Sequence, residues 1–165
     1  MILQEYCSKL SENIKKNSEG GLTLLPLVDK ETIKNIIIKY DELFTKSIVK
    51  SQNFEGLIDK ISCNANVISV CINGQVAGYC AYYMNDFKSR IAYITLIVVD
   101  ENFQSNHIGT IMLDYIKAVA VINGFIGIRL EVHDKNVKAI SFYEHNNFCV
   151  EMTASNDSKY MRCNL

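Results

Sequence analysis

The sequence predicts an α/β domain built on a mixed, mostly antiparallel central sheet of about seven strands, flanked by helices on both faces. Three observations lead there. Two β-rich runs, "NVISVCI" and "QVAGYCAYY", meet at Asn73-Gly74, the dipeptide best suited to a tight hairpin turn. A third run, "RIAYITLIVVD", extends that meander. It leads into "IGTIMLDYIKAVAVI", which reads as a helix, and then into "GFIGIRLEVH", which reads as a strand. A strand–helix–strand unit after a meander puts parallel and antiparallel neighbours in one sheet.

The other elements follow in order. Residues 2–17 carry Ile2, Leu3, Tyr6, Leu10 and Ile14 at helical spacing, an extra N-terminal helix within residues 1–20, which "SEGG" ends. "LTLLPLV" is a short strand, and Asp29 is a candidate N-cap for a helix over "KETIKNIIIKYDELF". Residues 46–62 read as a weaker helix. Further on, "NVKAISFYEHN" puts Val137, Ile140, Phe142 and Tyr143 on one helical stripe. "FCVEMT" and "KYMRCNL" are two final strands around the turn "ASNDS". At 165 residues, the chain is read as one domain, 1–165.

Composition narrows the function. Apolar residues make up 48% and charged residues 21%, a globular balance that excludes disorder. The net charge is −1 and both halves are near neutral, so no basic face favours nucleic acid. No apolar run is long enough to cross a bilayer. Gln4 and Glu5 interrupt any signal-like start, so a cytoplasmic protein with no membrane partner is expected. The six cysteines form no C-x-x-C pair and sit mostly in apolar runs, as reduced core thiols would. His107, His133 and His145 lack metal-ligand spacing, so no metal is expected.

The chemistry centres on "QSNHIGT", residues 104–110, between the third meander strand and the long helix. The first N–H groups of a helix have no internal partners and attract phosphate. Such loops lean on glycine, yet this one has Ser105 and His107. Ser105 can donate its hydroxyl to a phosphate. A helical backbone at His107 would carry its β-carbon without strain, the imidazole turned to phosphate or to solvent.

The stretch "VVDENFQSNHIG" resembles the signature of the GCN5-related N-acetyltransferase (GNAT) family. That signature is a strand ending in a Val-like pair, followed by Gln or Arg-x-x-Gly-x-Gly or Ala. Gln104 and Gly109 match, and His107 stands where the middle glycine belongs. A second block, Asn-x-x-Ala-x-x-Phe-Tyr-x-x-x-Gly-Phe, is similar to "NVKAISFYEHNNF". Asn136, Ala139, Phe142, Tyr143 and Phe148 match, and Asn147 replaces the glycine, with some tolerance for left-handed backbone. The ending "YMRCNL" also resembles the family's last strand. The resemblance covers roughly residues 66–165, and the N-terminal third matches only in its strand–helix–helix order.

The resemblance implies an acetyl-CoA-dependent N-acetyltransferase, with acetyl-CoA as co-substrate. It implies that Gln104, Ser105, Asn106, His107, Ile108, Gly109 and Thr110 cradle the pyrophosphate. The acyl arm would lie along the backbone of Ile97, Val98 and Val99, where the strand splays from its neighbour. Tyr143 matches the tyrosine that protonates the departing thiolate, with core packing as its alternative. Asn136 matches the helix-start asparagine beside the cofactor and is also a natural N-cap.

The general base is not apparent, because Ile91–Val99 holds no acid. Glu131 and His133 alternate with Val132 and share one face of the next strand, so both are candidates. Tyr82, Tyr83 and Asp86 are further candidates for an acceptor site, with aromatic core packing the favoured reading for the tyrosines. The expected acceptor is a primary amine of a small molecule: an amino sugar, amino acid or polyamine. Protein or peptide N-terminal acetylation, a non-catalytic acyl-CoA-binding module, and an α/β domain for another phosphate ligand are the alternatives. A monomer or homodimer is expected.

Overall fold

The computed structural model describes residues 21–165 apart from Val28 and Asn156. The helix expected over residues 2–17 lies outside the described residues. Seven strands make one sheet: β1 (Leu22–Pro26), β2 (Asn66–Ile72), β3 (Gln75–Tyr83), β4 (Ile91–Val99), β5 (Gly127–His133), β6 (Cys149–Ser155) and β7 (Ser158–Asn164). Their spatial order is β1-β2-β3-β4-β5-β7-β6, and among the described residues only β4 and β5 pair in parallel. The predicted fold class is the observed one.

The hairpin between β2 and β3 turns at Asn73 and Gly74, with φ of 52° and 78°. Both values are positive, as a two-residue turn matching the strand twist requires. Helix α1 (Lys30–Lys39) starts where expected, with the Asp29 carboxylate accepting the Thr32 N–H at 2.7 Å. It stops short of the expected end at Phe44, giving way to a 3-10 turn at Asp41–Leu43. Helix α2 (Phe54–Asn64) begins eight residues later than residues 46–62 suggested. Asp41 accounts for both differences. Its carboxylate accepts from the Ile48 and Val49 N–H groups at 2.7 and 3.0 Å, and from the Ser47 hydroxyl. The chain there folds around a side chain instead of into a helix.

Helices α1 and α2 cover one face of the sheet, burying Ile33, Ile37, Ile58 and Ile61 against Tyr79, Leu96 and Val98. Helices α3 (Ile108–Ile122) and α4 (Val137–His145) cover the other. There Ile111, Met112, Leu113 and Ile116 meet Cys80, Ile94, Ile128 and Leu130. Each fully buried aliphatic chain stabilises the fold by roughly 1.5–3 kcal/mol.

One irregularity shapes everything that follows. Ala81 pairs with Leu96 but Tyr82 pairs with Ile94, so Thr95 is an extra residue on β4. This bulge reverses the strand's faces. Before it, Ala92 and Ile94 pack toward α3; after it, Leu96 and Val98 pack toward α1 and α2. The β4–β5 ladder ends at the same place, with Ile94 opposite Leu130. Beyond that pair, Glu131, Val132 and His133 keep only β7 as a partner.

Candidate active site

The two strands separate into a cleft of about 960 Å³. Its walls include the Thr95–Val99 stretch of β4, the Leu130–His133 end of β5, the loop before α3, and part of α4. Backbone N–H and C=O groups along such a split are not consumed by the sheet, so a ligand can take them.

The phosphate-type loop forms part of the wall. Asp100 anchors it from below: its N–H donates to Ala77 O at 2.9 Å, and its carboxylate accepts from Tyr40 Oη at 2.8 Å and Asn102 N at 3.0 Å. A 3-10 turn at Glu101–Phe103 follows. Ser105 and His107 then adopt positive φ, 68° and 58°, on either side of Asn106. Alternating left-handed residues turn successive N–H groups into one concavity, a nest for anions. His107 is the N-cap of α3, its side chain makes no cap bond, and the first turn holds no acid. The leading N–H groups of α3 therefore add to the nest.

His107 is thus not helical, contrary to the strain-free option. It holds a glycine-like conformation at a cost of roughly 1–2 kcal/mol. Asn147 behaves as anticipated, with φ of 68°. Gly109 has a role the sequence did not reveal: a β-carbon there would lie 2.8 Å from Phe142 Cζ. Its bareness lets α3 and α4 touch. Gly78 is bare for a similar reason, since a β-carbon would sit 2.7 Å from Val98 O beneath the start of α3.

Ile97, Val98, Val99, Gln104, Ser105, His107, Ile108, Gly109, Thr110, Asn136 and Tyr143 all line the cleft. Asn106 is exposed and does not belong to its wall. Asn136 caps α4, its Oδ1 accepting the Ala139 N–H at 3.2 Å. Tyr143 is 7% exposed, packed between Phe142 and Phe148 with ring centroids 5.4 and 5.7 Å away. Burial pushes its phenol up, so it stays protonated across the physiological range.

Glu131 and His133 both line the cleft at the end of β5, as their alternation implied. Glu131 accepts from the Ser158 hydroxyl. His133 is engaged on both nitrogens: Nδ1 accepts the Lys135 N–H at 3.2 Å, and Nε2 lies 3.2 Å from Asp157 Oδ2. The Lys135 N–H thus occupies the Nδ1 lone pair, and Nε2 faces a carboxylate.

Sequence reasoning missed Lys46, Tyr93, Asp157 and Ser158, which also line the cleft. Lys46 forms an ion pair with Asp157, joining the α1–α2 loop to the turn between β6 and β7. Only the β5–β7 register, His133 opposite Ser158, brings that turn to the cleft. Tyr82, Tyr83 and Asp86 do not reach it. The tyrosines are buried, and Asp86 caps its own turn by accepting from Lys88 N, Ser89 N and Ser89 Oγ.

This chain belongs to the acetyltransferase (GNAT) family, whose model matches residues 37–148. It is therefore of the acetyltransferase class, with acetyl-CoA as the acyl donor. No curated protein sequence matches it. Solved structures share its fold at low identity. PaiA N-acetyltransferase from Thermoplasma acidophilum, in complex with coenzyme A, is 18% identical with a TM-score of 0.69, covering 88% of this chain and 99% of that one. Ard1 from Thermoplasma volcanium is 18% identical with a TM-score of 0.69, covering 87% and 97%. A GNAT acetyltransferase from Staphylococcus aureus Mu50 is 16% identical with a TM-score of 0.71, covering 88% and 99%. Among the described residues, no helix is long and apolar enough to cross a membrane.

Proposed function

We propose that the chain transfers the acetyl group of acetyl-CoA to a primary amine of a small molecule, by direct attack in a ternary complex. The observation that carries this reading is the β4–β5 split, with an anion nest after β4 and a carboxylate at the end of β5. The loop of residues 104–110 holds the pyrophosphate through backbone N–H groups. Along Ile97–Val99, backbone groups freed by the bulge hold the acyl arm and stabilise the oxyanion. Tyr143 gives its proton to the leaving thiolate. Glu131, exposed into the cleft, takes the proton of the acceptor amine, whereas the His133 Nδ1 lone pair is occupied by the Lys135 N–H. His133 positions Asp157.

A small acceptor is favoured by the closure at the end of β5. The Lys46–Asp157 pair ties two loops together beside Glu131, narrowing the approach for a polypeptide. Acetyl-CoA turnover with glucosamine, lysine and spermidine, followed by thiol release, tests the reading with Tyr143→Phe as the control. Loss of a positioned general acid is expected to lower kcat by about 10²-fold or more and leave the KM for acetyl-CoA near its wild-type value. An unchanged kcat in Tyr143→Phe would remove the acid role. Turnover of peptide N-termini in place of these amines would move the acceptor class to protein.

A further inference from the structure

Beside Glu131 a chain of hydroxyl groups runs along the cleft wall. Ser158 Oγ donates to Glu131 Oε1 at 2.5 Å, and Ser155 Oγ lies 2.6 Å from Ser158 Oγ. Ser155 Oγ is 3.0 Å from Asp157 Oδ1 and also accepts the Asp157 N–H at 3.5 Å. Ser158 is 6% exposed, whereas Ser155 is exposed and the Asp157 side chain is 44% exposed. The buried Ser158 hydroxyl thus links Glu131, exposed into the cleft that the substrates fill, with the exposed Ser155 and the half-exposed Asp157 farther along the same wall.

The proton count along it is informative. Three oxygen–oxygen links join Glu131, Ser158, Ser155 and Asp157, and each needs one hydrogen to be a hydrogen bond. Two serine hydroxyls supply two hydrogens. With both carboxylates ionised, the chain is one proton short, and a proton arriving at Glu131 completes it.

We propose that Ser158 and Ser155 form a proton relay that carries the acceptor's proton from Glu131 to Asp157 and so to solvent. The proposal rests on the acetyl-transfer reading, with Glu131 as base. An ammonium acceptor, RNH3+, loses a proton to the Glu131 carboxylate and becomes RNH2. The new Glu131 O–H hydrogen passes to Ser158 Oγ, the Ser158 hydrogen to Ser155 Oγ, and the Ser155 hydrogen to Asp157 Oδ1. Each serine regains one hydrogen and loses one, so only the carboxylates change state. Asp157 then releases the proton to water. Lys46 and Ser155 beside Asp157 hold its carboxyl down at about 2, so it does not retain a proton near neutrality. Lys46 and His133 are the charged and titratable groups that face it.

Ser155 is the place to test this, because it is exposed on an edge strand and a β-branched replacement suits it. The experiment measures kcat for wild type, Ser155→Ala and Ser155→Thr with the three amines, at low and high imidazole buffer. Ser155→Ala is expected to lose roughly tenfold in kcat, a fraction of a full acid–base contribution because water partly bridges the gap. The KM for acetyl-CoA should be unchanged. Ser155→Thr, which keeps the hydroxyl, should restore the rate, and imidazole should rescue Ser155→Ala alone. A wild-type kcat in Ser155→Ala, or a loss relieved by neither threonine nor imidazole, overturns the relay and leaves acetyl transfer intact. A wild-type protein that binds acetyl-CoA but turns over no amine overturns the acetyl-transfer reading and the relay with it.

Discussion

His107 is the residue at which this chain departs most from its relatives' pattern, and its backbone explains how the departure is tolerated. A nest needs N–H groups in a left-handed alternation, and side-chain identity matters only through strain. His107 supplies the geometry at φ 58° that a glycine would supply without strain. Glycine there removes roughly 1–2 kcal/mol of strain and adds back part of that as unfolded-chain entropy. His107→Gly is therefore expected to stabilise the fold by about 0.5–1 kcal/mol in urea unfolding. It should bind acetyl-CoA within about threefold of wild type, under ~0.7 kcal/mol. A much weaker affinity in the variant would mean that the imidazole itself holds phosphate. The family blocks made this loop legible, but they could not reveal its conformation, since histidine gives no sign of positive φ.

Elements were legible where local chemistry decides them. Asn73-Gly74 and Asp29 act within a few residues, and both did what their residue types predict. The start of α2 was not legible, because Asp41 captures Ile48 and Val49 through a loop that no periodicity encodes. The bulge at Thr95 was hidden for another reason. β4 is covered on both faces over its second half, so Leu96–Val99 is apolar at every position and a slip of one residue at Thr95 leaves no trace. On the less covered side of β5 and β7, polar pairs replace apolar ones. Arg129 grips Glu151 at 2.6 and 2.9 Å, with Arg162 at 3.4 Å. These hydrogen bonds and charges, Arg129 foremost, hold the Glu151 carboxyl below its ordinary value of 4.5. A carboxyl depressed on folding stabilises the protein above its unfolded value and loses that contribution as pH falls through its folded one. The advantage of wild type over Glu151→Gln in thermal unfolding should thus be full above pH 4.5 and shrink on acidification. A difference independent of pH would mean that the guanidinium–carboxylate pair contributes nothing ionic.

At the scale of the whole molecule, the bulge, the split and the loop are parts of one construction. Thr95 reverses the faces of β4, the β4–β5 ladder stops at Ile94, and Asp100 fixes the strand's end against Tyr40. The nest, Glu131 and Tyr143 then line one cleft. Sequence reasoning pointed to the loop of residues 104–110, Tyr143 and Glu131, all of which border the cleft except Asn106, but not to the wall made by Lys46, Asp157 and Ser158. That wall comes from β7 lying between β5 and β6, a topology that no single segment encodes.

The most direct test is a calorimetric titration of the purified, reduced protein with acetyl-CoA, and in parallel with acetyl-pantetheine, which lacks the pyrophosphate. A pyrophosphate nest predicts one-to-one binding of acetyl-CoA near micromolar, about 8 kcal/mol, and binding of acetyl-pantetheine weaker by roughly a hundredfold. Equal affinity for the two ligands, or no heat with acetyl-CoA at about millimolar concentration, would mean that residues 104–110 are an ordinary turn.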